Sequence, residues 1–203
     1  MTSRAESLFA RAVVADDAPA DELSERILDG AMACLSELGL RRSTVEDIAR
    51  RAGVSRVTVY RRFENKNNLV EAVLLRECRR CLAALDEAVT GVESLDERIV
   101  EGFVFALRYG RNHPLVGGLL RVEPEEVLPY LTVRAGTALA VVREYLAGHI
   151  REAEVGAFDP VQVAEIMVRI VVSFVLTQDS SIELDTDEDL RRFARRYLVP
   201  LVH

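Results

Sequence analysis

The chain is short of the residues that staple, break or span. Of its 203 residues, 3 are Cys, 6 are Pro and 11 are Gly. An odd and low cysteine count argues against a disulfide framework and fits a reducing compartment. So little glycine and proline excludes a collagen-like or low-complexity chain. Long apolar runs are missing too. The longest, Ile170 to Leu176, is interrupted by Ser173 and falls far short of the ~20 residues that cross a bilayer. Near the start, Arg4, Arg11, Asp16 and Asp17 cut the apolar centre that a secretory signal needs. The expectation is a cytoplasmic protein without a membrane partner, with residues 1–20 as a loose tail.

What is present describes a soluble globular protein. Hydrophobic residues make up 49% and charged residues 29%, enough to bury a core. The formal net charge of −7 hides an asymmetry. Between Arg41 and Lys66 stand eight cations and three anions, a local charge of +5, so the remainder carries −12. Phosphate binding is driven locally by counterion release, and a small basic block on an acidic body suits it. Charge alone favours a solvated basic face. The spacing inside the block discriminates.

Leu23, Ile27, Leu28, Ala31, Cys34, Leu35 and Leu38 recur at intervals of three and four, one apolar stripe on a helix. Gly39 fits the left-handed position that ends it. A second helix opens at a capping pair, Ser43 with Glu46 or Thr44 with Asp47. Val45, Ile48, Ala49 and Ala52 give it a short buried face before Gly53 breaks it. Ser55 then caps a third helix, Arg56 to Phe63, with Val59 and Phe63 inward and Arg56, Val57, Thr58, Arg61 and Arg62 outward. Helix, tight glycine turn, helix with a cationic outer face is a helix-turn-helix, and its second helix suits a major groove.

The string Thr44-Val45-Glu46-Asp47-Ile48-Ala49-Arg50-Arg51-Ala52-Gly53-Val54-Ser55, followed by Thr58-Val59-Tyr60, Phe63, Lys66 and Leu69, resembles the DNA-binding domain of the tetracycline-repressor (TetR) family of transcriptional regulators. The resemblance covers residues 22–75. Many family members carry Gly or a similar small residue where this chain has Val57. From side-chain chemistry, Arg56 can donate two hydrogen bonds to guanine, and Val57 and Thr58 can offer methyl groups to thymine. Arg61 lies within reach of a base edge or the backbone. The resemblance implies that Tyr60 bonds a phosphate and that Thr44 and Lys66 clamp phosphates on either side; Ser55, the cap of the reading helix, belongs to the same set.

After Lys66 the pattern stays helical. Leu69, Val73, Leu74, Cys78, Cys81, Leu82 and Leu85 make a long stripe. Further segments begin near Ser94, Glu125 and Asp159. Breaks are expected around Gly91, at Asn112-His113-Pro114, at Gly117-Gly118, around Pro129 and between Gly148 and Pro160. Val161 to Leu176 is apolar apart from Gln162, Glu165, Arg169 and Ser173, so two sides of this helix must be covered. The last helix aligns Leu190, Phe193, Ala194, Tyr197, Leu198 and Leu201, with acidic residues first and Arg191, Arg192, Arg195 and Arg196 later. That order complements the helix dipole and allows pairs such as Asp187–Arg191.

The fold expected is all-α. A helix-turn-helix DNA-binding domain occupies residues 21–66, and a larger helical effector-binding and dimerisation domain occupies residues 67–203. The family resemblance implies a homodimer through the helices near 161–177 and 187–201, a partner in double-stranded operator DNA, and repression relieved by a small-molecule effector. Aromatic and Met side chains that suit an apolar pocket are Phe103, Phe105, Tyr109, Tyr130, Met167 and Phe174.

Two other readings stand beside this one. Cys78-Arg79-Arg80-Cys81 is formally C-x-x-C and would serve a thiol-based redox sensor or oxidoreductase, but no strand leads into it. An architectural DNA-binding dimer without an effector is the other. No metal or cofactor is implied, because His113, His149 and His203 are isolated from the cysteines and from one another. No catalytic triad or paired-carboxylate arrangement is present, so the chain does not read as an enzyme. Arg56→Ala should relax preference at one base pair and cost ~1–3 kcal/mol, whereas Lys66→Ala should weaken binding to all sequences alike. Uniform loss in both variants, measured on a panel of duplexes, would remove Arg56 from the base-reading set.

Overall fold

The computed structural model describes residues 22–153 and 158–203. The tail expected over residues 1–20 lies outside the described residues. Among the described residues, every regular element is helical. The chain forms two compact units that divide between Leu75 and Arg76.

The first unit is built from α1 (Glu22–Arg42), α2 (Val45–Ala52), α3 (Arg56–Arg62) and the beginning of α4 (Lys66–Ala88). Ile27, Ala31, Cys34 and Leu35 of α1 are buried, as are Ile48, Ala49 and Ala52 of α2, Val59 of α3, and Leu69, Val70 and Val73 of α4. These are the stripes that the three-four spacing predicts. Each large apolar side chain buried this way contributes about 1.5–3 kcal/mol. Leu23, Phe63 and Leu74, expected in the same stripes, are half-buried, and one expected member faces solvent. Leu38 is 43% exposed, because the chain turns at Gly39 and Leu40 enters the core in its place. Gly39 has φ 82° and ψ 171°, a glycine conformation other than the expected left-handed helical one.

The second unit contains the rest of α4, then α5 (Leu95–Asn112), a wide π-type turn over Pro114–Gly118, α6 (Leu119–Val122), α7 (Pro124–Leu131), α8 (Gly136–Glu152), α9 (Pro160–Leu176) and α10 (Asp187–Phe193). Its core joins Val100, Phe103 and Leu107 of α5 to Ala147 and Ile150 of α8, Ala164 and Met167 of α9, and Leu190 and Phe193 of α10. Capping is as expected at Asp159, whose side chain accepts from Val161 N–H, and Gly91 takes φ 82°. One expected break is absent: Gly117-Gly118 continues the winding as part of the π-type turn. The break expected around Pro129 falls just after it, at Leu131, with Pro129 inside the last turn of α7.

The last helix also differs from its simple stripe. After Phe193 it widens into a π-type turn, Ala194–Leu198, and then tightens to a 3₁₀ turn, Val199–Val202. Widening adds a residue per turn. The buried set becomes Leu190, Phe193, Ala194, Leu198 and Val202, and Tyr197 swings out to 52% exposure. The arginines pair across to α5 rather than along their own helix. Arg191 holds Glu101 through two bonds at 2.8 and 3.1 Å, Arg195 holds Glu97 at 3.1 Å, and Asp187 takes Arg108 at 2.7 Å. Arg192 pairs locally with Asp189 at 2.9 Å, and Arg196 lies over the neighbouring Tyr197 ring. The pairs run in opposite chain order, so they fix the last helix antiparallel to α5. No described helix is long and apolar enough to cross a membrane.

Among the described glycines of the unit, Gly117 has the tightest surroundings: a Cβ there would lie 1.9 Å from the carbonyl oxygen of Arg111. Gly117→Ala should therefore destabilise the protein by about 2–4 kcal/mol in denaturant unfolding, since the obstacle is backbone and cannot yield. A loss below ~0.5 kcal/mol, the range of ordinary surface changes, would contradict the close approach.

Candidate nucleic-acid interface

The interface begins with the start of α2. Of the two capping pairs the sequence allows, the molecule uses Thr44 with Asp47. Thr44 Oγ1 accepts from Asp47 N–H at 3.1 Å, and the Asp47 carboxylate accepts from Thr44 N–H at 3.3 Å and from its hydroxyl at 2.6 Å. The Thr44 hydroxyl holds Asp47 below the usual carboxylate range, and the Thr44 backbone N–H and Arg50 add to it against the opposing effect of desolvation. Ser43 does something else: it is buried and donates its hydroxyl to the Gly39 carbonyl at 2.7 Å.

The end of α2 is a Schellman turn. Gly53 is left-handed at φ 66° and ψ 37°; its N–H reaches the Arg50 carbonyl, and Val54 N–H reaches the Ala49 carbonyl. Ser55 then caps α3, accepting from Thr58 N–H at 3.1 Å. Its hydroxyl also lies 2.8 Å from the Thr58 hydroxyl, so both hydroxyls are engaged within the cap and the Thr58 methyl remains available.

Along α3 only Val59 is fully buried. Arg56, Val57, Tyr60, Arg61 and Arg62 are exposed, and Val57 reaches 69%. An exposed valine among arginines has no packing role and suits a thymine methyl. Arg56 lies over the Tyr60 ring, 5.4 Å from its centroid, with Nη2 3.4 Å from the hydroxyl. Lys66, at the start of α4, donates from Nζ to the Leu40 carbonyl at 2.5 Å. One of its three protons therefore ties α4 to the end of α1. The expected set Thr44, Ser55, Arg56, Val57, Thr58, Tyr60, Arg61 and Lys66 thus lies at the ends of α2 and α4 and along α3, all in the first unit. Sequence reasoning passed over Arg26 of α1, which reaches the carbonyls at the end of α2. No spacing rule marks such a contact between distant helices.

In the second unit the six expected pocket residues fall into three groups. Phe103, Met167 and Phe174 meet in the core, where Phe193 stacks on Phe103 at 5.2 Å and meets Phe174 edge-on at 5.3 Å. Phe105 and Tyr109 stack elsewhere, and Tyr109 continues onto His113 at 5.4 Å. Tyr130 lies under Arg134 of the turn after α7. The second group adjoins buried polar residues that the sequence did not single out. Glu77 is hydrogen-bonded to Arg80 at 3.0 Å and to His113 Nε2 at 3.4 Å, and the Arg76 charge lies 3.3 Å away. Burial pushes Glu77 up, but the bond from His113 and the charges of Arg80 and Arg76 outweigh it and hold the carboxyl below its ordinary range. His113 Nδ1 accepts from Leu115 N–H, which leaves Nε2–H to face the carboxylate.

The geometry of the first unit agrees with comparisons to known proteins. Residues 27–73 match the family of bacterial regulatory proteins, tetR family, and residues 95–196 match the bacterial tetracyclin repressor C-terminal domain. This chain belongs to the TetR family. An HTH-type transcriptional regulator of Mycobacterium bovis is 31% identical over 158 residues, covering 76% of this chain and 80% of the relative. Among solved structures, the TetR family repressor AlkX from Dietzia sp. aligns with a TM-score of 0.70 at 22% identity, covering 88% of this chain and 94% of AlkX. RolR in complex with resorcinol aligns at 0.64 and 15% identity, covering 89% and 87%. At these identities the two structures establish the fold alone. This member of the TetR family is a helix-turn-helix DNA-binding transcriptional regulator and not an enzyme.

The cysteine reading meets a physical obstacle. Burial pushes the Cys78 thiol up to about 11 and the Cys81 thiol up to about 12. Neither supplies thiolate at neutral pH. A thiol-specific reagent at pH 8 should label both at least ~10-fold more slowly in the native protein than in denaturant, where thiols regain their ordinary acidity. Equal rates would restore the redox reading.

Proposed function

We propose that this regulator is a homodimeric repressor that leaves a pseudo-palindromic operator when a small-molecule effector binds its second unit. Base reading falls to Arg56, Val57, Thr58 and Arg61, and phosphate contacts fall to Thr44, Tyr60 and Lys66, with Ser55 holding the reading helix at its cap. The observation that carries this assignment is the outward face of α3, where a seven-residue helix buries only Val59. A surface so cationic and so lightly packed is explained by a polyanionic partner. For the dimer, the support is α9, whose outward positions include Ile166 at 45% exposure between Gln162 and Arg169. For the effector, the support is the buried group around Glu77 and His113, beside the Tyr109 stack, together with the resorcinol held by RolR. An effector must bind the DNA-incompetent state better than the competent one, and a coupling of roughly 1–3 kcal/mol is typical.

Selection from random duplexes followed by footprinting tests the proposal. The expected result is an inverted repeat whose half-sites are about 10 bp apart, or a multiple of that. Sedimentation should give twice the chain mass of 22.6 kDa. Recovery of no preferred sequence would favour the architectural reading, and a monomer would remove the palindrome.

A further inference from the structure

The turn between α2 and α3 is held from outside by a side chain of neither helix. Arg26, on α1, donates from Nη2 to the Ala52 carbonyl at 2.8 Å and lies 3.4 Å from the Gly53 carbonyl. The Schellman turn occupies the carbonyls of Ala49 and Arg50, so Ala52 and Gly53 stand at the end of α2 with no helical N–H to receive. A guanidinium satisfies them and also meets the negative end of the helix dipole. Gly53 leaves the room: a Cβ there would lie 3.1 Å from Arg26 Nη2. The helices are already close at this point, since a Cβ on Gly30 of α1 would lie 3.1 Å from both Ala52 N and the Ile48 carbonyl. Farther along, Glu37 of α1 holds Arg51 of α2 at 2.6 Å.

The geometry points to Arg26 as a positioning residue for sequence reading: it sets the exit angle of the turn, and so the direction of α3, without touching a base. Seven residues with one fully buried side chain give α3 little packing of its own to fix that direction. The turn must therefore do so, and Arg26 bonds the carbonyls of the turn itself from α1. A displacement of the reading helix harms contacts that need aligned base edges more than contacts to phosphates, which are tolerant of direction.

The test uses R26M and R26K in the full-length protein, with the duplex recovered by wild-type selection and a shuffled duplex of equal composition. Affinities are measured over a salt series, beside thermal unfolding. R26M should lose roughly two- to tenfold on the selected duplex, the worth of one net hydrogen bond, and little on the shuffled one. The salt slope should stay unchanged, and R26K, which retains one carbonyl bond, should fall between. Equal losses on both duplexes with a slope shallower by about one unit would overturn the proposal and make Arg26 a phosphate contact. An unchanged ratio between duplexes with a lower melting temperature would overturn it in favour of a purely structural bond. Should R26M not fold, the ratio for R26K decides alone. A wild-type protein that prefers no sequence would overturn this proposal and the operator reading together, an outcome distinct from a defect confined to the variants.

Discussion

The left-handed conformation of Gly53 is the constraint on which the DNA-reading unit depends. It reverses the chain within one residue, lets Val54 and Gly53 close α2, and delivers Ser55 in the extended conformation a cap requires. Any side chain there would meet both an unfavourable φ and the Arg26 guanidinium. The caps on either side supply what the turn leaves unsatisfied: Thr44 at the start of α2 and Ser55 at the start of α3. Backbone groups at helix ends must find partners, and here side chains one turn away supply several of them.

The basic block divides into two kinds of cation. Lys66 and, from outside the block, Arg26 engage carbonyl groups of neighbouring helices, while Arg51 engages Glu37. Arg56 and Arg61 stay on the exposed face of α3. Counting charge along the sequence treats them alike; only the fold distinguishes those that also tie helices together, Lys66 among them, from those that only face outward. The same division applies in the last helix, where Arg195, Arg191 and Arg192 are held by Glu97, Glu101 and Asp189. Such half-exposed pairs contribute little to stability individually, but their order fixes the register between α5 and the last helix.

Local rules were legible in the sequence. The three-four stripes of α1, the Gly53 stop, the Ser55 cap and the break at Asn112-His113-Pro114 depend on residues a few positions apart, and a helix period exposes them. What required the fold depended on distance. The choice of Thr44 over Ser43 as the cap followed from Ser43 being buried against Gly39. The exposure of Leu38 followed from the turn after it, and that of Tyr197 from a widened turn that no period encodes. Pro129 was absorbed within α7, and the partners of Arg191 and Arg195 came from residues some ninety positions away. The family string over residues 44–69 is dense in chemistry and identified the DNA-reading unit directly. The second unit carries no comparable string, so its buried Glu77 went unmarked and His113 was marked only as part of a helix break and as an isolated histidine.

Burial has one practical consequence for the three native thiols. All are shifted upward, Cys34 chiefly by burial in the first unit and the other two within α4. Thiols shifted upward hold less thiolate at neutral pH and react more slowly with maleimide dyes. A reporter cysteine placed on the solvent face of α3 would then take up a fluorophore ahead of them, and the reading head could be watched on DNA without first rebuilding the core to remove its own sulfur.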